Sequence, residues 1–173
     1  MSKLISEKIY DINDYSAGIK NLKKVLHQIE GIFPKFEEFH QNWDFKVFKN
    51  YKLFLTLYGT GGTYEPFKGE ITMLTTKTGE FKRGIDPLGT VIHEFVHIGI
   101  EERIIQKFNI SQIIKERIVD KFVSANFRDI VPDYLLQNFG DKSIDKYLDD
   151  KNCWNNLPHF IENYVEDSGR TKP

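Results

Sequence analysis

The chain has 173 residues, 40% of them hydrophobic and 14% aromatic, so it can bury a core without a disulfide or a structural metal. Its 24 basic and 25 acidic residues nearly cancel, and because a nucleic acid or an anionic membrane normally meets a basic excess, we expect neither as a partner. The single cysteine, Cys153, excludes an internal disulfide and a cysteine-rich zinc site. No signal-peptide core and no apolar run of about 18 residues is present, which predicts one cytoplasmic domain.

The N-terminal part of the chain predicts a helix. Residues 15–30 carry apolar side chains at helical spacing with lysines on the other side, and Gly31 and Pro34 are expected to end the helix. The predicted buried face consists of Ile19, Leu22, Val25, Leu26 and Ile29.

Two strands are predicted next. Residues 44–58 are rich in aromatic and aliphatic side chains that alternate toward the end of the segment, and the Lys49–Asn50 pair could turn a hairpin before it. Gly59–Gly62 is predicted to be a loop. Residues 70–76 predict a further strand.

Two long helices follow. Asp86 and Pro87 form a good helix start, a capping oxygen followed by proline at the first helical position, for a helix over residues 87–100. Ser111 is the expected cap of a helix over residues 112–127. Its predicted apolar face is Ile113, Ile114, Ile118, Phe122 and Val123.

The end of the chain predicts shorter helices, at residues 134–139 and 157–165. Within one domain, residues 1–86 would then form a helix and sheet, residues 87–127 the two long helices, and residues 128–173 a helical C-terminal segment. This order of elements predicts an α+β fold with a small mixed sheet.

The first long helix contains the motif H-E-x-x-H, formed by His93, Glu94 and His97. Four-residue spacing in a helix places both imidazoles on one face, where they can reach one metal ion. Glu94 projects beside them, where a carboxylate can take a proton from a water on the metal. Because chance gives this motif with a probability on the order of 1%, we interpret it as a metal site rather than as two helix histidines satisfied by backbone or water.

A catalytic zinc site usually has three protein ligands, and three carboxylates are candidates for the third. Glu101 is excluded, because eight residues of helix rise by about 12 Å from His93. Glu116 and Asp120 lie one turn apart on the next helix. A straight helical hairpin slightly favours Asp120, whereas the longer reach of glutamate and a bend at Gly99 favour Glu116.

The spacing H-E-x-x-H, 18 residues, then Glu116 resembles that of the gluzincin metallopeptidases, the group of thermolysin and the neutral zinc aminopeptidases. Lys115 to Asp120 is similar to the N-E-x-x-x-D box of thermolysin, with Lys115 in place of the asparagine. The resemblance covers 28 residues, from His93 to Asp120, and implies a zincin-like fold with one zinc ion held by His93, His97 and Glu116. It further implies that Glu94 polarises a water and that Asp120 orients a ligand histidine.

In zincins, a strand at the sheet edge packs against the active-site helix and pairs with an extended substrate. Residues 70–76 are the candidate here, with an ordinary core strand as the equally weighted alternative. Oxyanion stabilisation usually needs a further donor, and the resemblance to gluzincins implies that it comes from downstream of the glutamate helix. The candidates are His159, Tyr134 and Tyr164, and for each a surface or packing role is the alternative.

We therefore predict a zinc-dependent peptidase, an endopeptidase because no G-x-M-E-N exopeptidase box is present, acting on a peptide or protein substrate. The alternative is a metal-binding regulatory or interaction protein that keeps the scaffold without effective turnover. A deformylase would need a cysteine ligand upstream of the motif, whereas Cys153 lies downstream. The sequence leaves the substrate and the oligomeric state open.

Overall fold

The computed structural model describes residues 11–59, 61–81, 87–137, 140–150 and 152–169. A 3-10 turn at Ile12–Tyr15 leads into helix α1, Ser16–Gly31, which confirms the predicted helix. The predicted end at Pro34 is only half right, because a second helix, α2, runs over Phe33–Trp43. Pro34 lies in the first turn of α2, where its missing N–H costs no hydrogen bond, so here it begins a helix.

The sheet has three strands: β1 is Lys52–Thr56, β2 is Gly62–Glu65 and β3 is Glu70–Leu74. Their order is β1-β3-β2, with β1 parallel and β2 antiparallel to β3. Of the two alternatives for residues 70–76, the edge strand is wrong and the core strand is confirmed, because β3 is the central strand and ends at Leu74. The strand at the edge of the sheet next to β3 is β2, and it begins within the loop predicted for residues 59–62. Residues 44–48 form no strand, so the predicted hairpin is also absent.

One face of α1 departs from the prediction. Of the five apolar residues expected to be buried, Ile29 is buried, whereas Ile19 and Leu26 are 40% and 45% exposed. These two side chains line a groove of about 420 Å³ between α1 and β1. The helix therefore lies on the sheet margin, and only part of its apolar stripe reaches the core.

Helix α3, Pro87–Ile100, confirms the first long helix and continues as a π-helical segment, Glu101–Gln106. Asp86, its predicted cap, lies outside the described residues. Every residue from Val91 to Ile100 is buried, so the helix runs through the core. Gly99 lies in the last turn of α3, where a side chain would overlap the ring of Phe45, and glycine allows this close approach.

Helix α4, Gln112–Asn126, confirms the second long helix. The predicted apolar face is buried at four positions, but Ile113 is 49% exposed. Residues 134–137 are not helical, so the predicted helix over residues 134–139 is wrong within its described part. The remaining elements are 3-10 turns at Lys142–Ile144 and Cys153–Asn156, a short helix α5 at Asp145–Leu148, and helix α6 at Leu157–Asp167.

Aromatic packing holds α3 in place. The ring of Phe95 on α3 meets Phe36 of α2 edge-on, with centroids 5.9 Å apart, and Phe36 stacks on Phe45 at 5.1 Å. Each fully buried side chain of this size contributes on the order of 1.5–3 kcal/mol. The result is a mixed α+β fold with a small open sheet, in which the motif helix is fixed on several sides. Among the described helices, none combines the length and the apolar character needed to cross a bilayer.

Candidate metal centre

Three of the predicted ligands meet at the packing of α3 against α4. The Nε2 atoms of His93 and His97 are 3.0 Å apart, and Oε2 of Glu116 lies 3.6 Å from the first and 3.4 Å from the second. Tetrahedral coordination with bonds of about 2.0–2.1 Å separates ligand atoms by about 3.3 Å. The three donor atoms therefore already stand at coordination distances, and among the described residues they form a group that can hold a metal ion.

The charge states of His97 and Glu116 suit a metal, whereas His93 would release its proton from Nε2 on binding one. Burial lowers the pKa of His97 to about 4, against the hydrogen bond with Glu116, so this imidazole is neutral at pH 7. Burial acts to raise the pKa of Glu116, but hydrogen bonds with both histidines outweigh it and hold that pKa far below its ordinary value. For His93, the neighbouring carboxylates outweigh burial and raise the pKa. An anionic ligand beside two imidazoles is a donor set that attracts a cation strongly.

A hydrogen-bonded chain stands behind His93. Its Nδ1 lies 2.7 Å from the hydroxyl of Tyr134, which donates to Oδ1 of Asp120 at 2.7 Å. The second oxygen of Asp120 accepts from the backbone N–H of Gln137 at 2.7 Å. Asp120 therefore reaches the ligand histidine through a tyrosine, since its own distance to Nδ1 is 3.7 Å. Such support fixes the ring orientation and directs Nε2 toward the metal.

Glu94 lies beside the three donors without being one of them. Its side chain is buried, and burial raises the pKa of its carboxyl to about 7, against the opposing effect of His93. Strand β2 passes directly over it, because a Cβ at Gly62 would overlap the Glu94 carboxylate. The site thus holds a carboxyl group whose pKa is close to neutral, next to a sheet edge.

Glu101 is not part of the group of ligands, as the helix rise predicted. Its side chain is nevertheless only 14% exposed, although a pair of adjacent glutamates, Glu101 and Glu102, is most simply expected on a solvated helix face. Tyr64 of β2 donates to Glu101 at 2.8 Å and accepts from Lys115 at 2.9 Å. The ring of Tyr64 in turn stacks on His97, with centroids 4.9 Å apart and planes inclined by 11°.

The remaining candidates have other surroundings. The described contacts of His159, which is exposed on α6, are with Asn163 at 3.4 Å and with the ring of Phe160. Tyr164 is buried and its hydroxyl lies 3.3 Å from that of Ser143. No described contact joins either residue to the histidines, so their role as oxyanion donors stays a prediction. Tyr134 does reach the site, but its hydroxyl is engaged by His93 and Asp120.

Sequence reasoning missed Tyr64 and Gln137. Gln137 places its side-chain Nε2 3.5 Å from Nε2 of His93. Tyr64 belongs to a strand of only four residues whose composition carries no apolar alternation, and Gln137 lies outside any helix or strand. The one signal in the sequence that could have pointed to either residue is a polar side chain long enough to reach the motif.

Comparisons of the chain with models of protein families, with curated proteins and with solved structures give no match. The resemblance to gluzincins therefore rests on the motif and on the geometry described above.

Proposed function

We propose that this protein is a zinc-dependent peptidase with a gluzincin-like centre. The observation that carries the proposal is the position and state of Glu94. The metal does not need this carboxylate for binding, yet it lies buried beside the three donor atoms, where burial raises its pKa in the metal-free protein. A general base works best with a pKa near the operating pH.

Zinc is the metal that this donor set favours. Two imidazoles and one carboxylate suit zinc better than magnesium or calcium, which prefer oxygen ligands alone. Three protein ligands also leave a fourth position for a water or a substrate, which is the pattern of catalytic rather than structural zinc. His93, His97 and Glu116 would hold the ion.

A zinc ion bound there would polarise the peptide carbonyl and lower the pKa of a water. Glu94 would accept the proton of the attacking water and deliver it to the leaving nitrogen. Asp120 and Tyr134 would keep the His93 ring in one orientation during both steps. The burial of Glu94 would keep bulk water from competing for that proton.

Strand β2 is the proposed site for an extended substrate. In the described sheet it pairs with β3 alone, so its other edge offers backbone N–H and C=O groups. Gly62 lets this strand approach Glu94 closely. A peptide added to the edge would lie beside the general base, and its backbone would supply most of the recognition.

The test is the hydrolysis of a mixed peptide library by zinc-loaded wild type and Glu94→Gln. Because the substitution removes the base but spares the ligands, we expect zinc to bind with nearly unchanged affinity and hydrolysis to fall by about 10²–10⁴-fold. Glu102→Gln is the matched control, since Glu102 lies near the same helix with its side chain 56% exposed. Full activity in Glu94→Gln would refute the mechanism.

A specific observation favours a second candidate, a metal-binding protein without turnover. The side-chain Nε2 of Gln137 lies 3.5 Å from Nε2 of His93, so a flip of the carboxamide would bring its oxygen to about the separation expected of a fourth ligand. If the Gln137 oxygen closed the coordination sphere, the ion would be structural. In that case the wild type would cleave nothing across the library, and the absorption spectrum of the cobalt-substituted protein would change in Gln137→Ala.

A further inference from the structure

His97 differs from His93 in how its ring is held. Whereas Nδ1 of His93 is engaged by Tyr134, Nδ1 of His97 is buried and has no hydrogen-bond partner among the residues that the structure describes. Metal-ligating histidines almost always donate this second nitrogen to a carboxylate, a carbonyl or a water, which fixes the ring. His97 therefore needs another constraint if Nε2 is to stay on the metal.

A stacking contact on the flat face of the His97 ring supplies that constraint. Tyr64 lies parallel to it at 11°, with a centroid separation of 4.9 Å. Offset stacking at this distance is a favourable arrangement for aromatic rings. The stack limits rotation of the imidazole about its bond to Cβ, because any tilt drives the ring into that of Tyr64.

Tyr64 itself is held by two charged residues. Its hydroxyl donates to Glu101 at 2.8 Å and accepts from Lys115 at 2.9 Å, and the ammonium group of Lys115 also lies 5.4 Å from the ring centroid. Both charged side chains are largely buried, at 14% and 12% exposure. Glu101 follows α3, which carries His97, and Lys115 directly precedes Glu116, so the tyrosine is anchored to both ligand-bearing segments.

We propose that Tyr64 is a positioning residue for the metal centre. Hydrogen bonds with Glu101 and Lys115 hold its ring, and the ring orients His97 in place of a hydrogen bond to Nδ1 of His97. The inference rests on the metal centre of the proposed function but not on peptidase activity. It also assigns a role to Lys115, which directly precedes the ligand Glu116 at the position where the thermolysin box has asparagine. The ammonium group of Lys115 donates a hydrogen bond to the hydroxyl of Tyr64.

The test is the zinc dissociation constant, measured by competition with a chromophoric chelator for wild type, Tyr64→Leu and Tyr64→Phe. Tyr64→Leu removes the stacked ring, and Glu101 and Lys115, already 3.9 Å apart, can then pair directly. We expect zinc to bind about 10–100-fold more weakly, as for other losses of support behind a ligand. Tyr64→Phe keeps the stacked ring but loses the hydrogen bonds with Glu101 and Lys115, so its zinc affinity should lie between those of Tyr64→Leu and the wild type.

Two readouts separate positioning from a purely structural role. The free energy of unfolding of each metal-free variant is measured in urea, and the zinc titration is made where all variants are folded. Tyr58→Leu, which changes a tyrosine that is 63% exposed, serves as the control and should match the wild type. A structural role alone would lower the stability of Tyr64→Leu without changing its zinc affinity.

The outcomes are distinct. Zinc affinity of Tyr64→Leu equal to the wild type, or equal loss in the leucine and phenylalanine variants, would overturn the role of the ring while leaving the metal centre intact. Absence of zinc binding in the wild type would overturn both the centre and this inference. Loss in Tyr64→Leu with partial recovery in Tyr64→Phe would support the inference.

Discussion

Replacing Glu116 and Asp120 in turn distinguishes a ligand from a residue that supports one. Oε2 of Glu116 lies within 3.6 Å of both histidine Nε2 atoms, whereas Asp120 meets the site through the Tyr134 hydroxyl. Glu116→Ala should therefore remove a metal bond, and Asp120→Ala should loosen only the orientation of His93.

The sizes of the two effects follow from their different roles. Structural zinc sites bind with about 10–16 kcal/mol over four ligands, or about 2.5–4 kcal/mol for each, so Glu116→Ala should weaken zinc binding by about 10²–10³-fold. The loss of a residue behind a ligand costs about 10–100-fold, which sets the expectation for Asp120→Ala. The metal-free proteins should rank in the opposite order. Asp120 is fully buried and accepts two hydrogen bonds, and each stranded donor costs about 1–3 kcal/mol.

The assay combines competitive zinc titration with urea unfolding of the metal-free proteins. Asp120→Asn is included because it keeps the volume of the side chain and folds even if the alanine variant does not. A larger loss of zinc affinity in either Asp120 variant than in Glu116→Ala would refute the ligand assignment. So would a crystal structure with Asp120 bonded to the metal and Glu116 turned away.

Two further predictions concern Gly62 on strand β2 and the ion pair between Arg117 of α4 and Asp145. Gly62→Ala places a methyl group against the Glu94 carboxylate and displaces it, so hydrolysis should fall by up to about 10²-fold with zinc affinity preserved, and unchanged activity would argue against Glu94 as the base. Asp145→Asn deprives the buried Arg117 of a partner at 2.5 Å, which should lower the free energy of unfolding by about 1.5–3 kcal/mol at pH 7. The Arg117 bond holds the pKa of Asp145 below its ordinary value, so this stability is present above about pH 4 and is lost as the pH falls through the folded-state pKa. Urea titrations at pH 7 and pH 2.5 should show the difference between wild type and variant shrinking at the lower pH.

The local parts of the site could be predicted from the sequence. Helix periodicity placed His93 and His97 on one face of α3, and the structure brings their Nε2 atoms 3.0 Å apart. The choice between Glu116 and Asp120 was harder, since a straight hairpin slightly favoured the aspartate. The spacing of the gluzincin motif indicated Glu116, which is the carboxylate that the structure brings to the histidines.

The sheet could not be predicted in the same way, because strand order depends on contacts distant in sequence. β1 pairs in parallel with β3, and β2 completes the sheet with four residues that include neither a leucine nor a valine. With no apolar alternation in β2, the central strand β3 was the only candidate for an edge. Nor does sequence show that Gly99 faces the ring of Phe45, a contact between residues 54 positions apart.

The hydroxyl of Tyr134 illustrates the same limit at the site itself. From the sequence, Tyr134 was one of three candidate donors to a substrate oxygen, placed only as downstream of the glutamate helix, with a surface or packing role as the alternative. In the structure its hydroxyl lies between His93 and Asp120, at 2.7 Å from each. Its role became visible only because the non-helical segment at residues 134–137 returns to the site.

The most direct test of the metal centre is X-ray absorption at the zinc edge of the purified protein, together with its metal content. We expect about one zinc per chain, bound by two imidazole nitrogens and a carboxylate oxygen at about 2.0–2.2 Å. Glu116→Ala should retain less zinc than the wild type under the same conditions, because one of the three protein ligands is lost. A protein that contains no transition metal and takes up none when zinc is added would contradict the account.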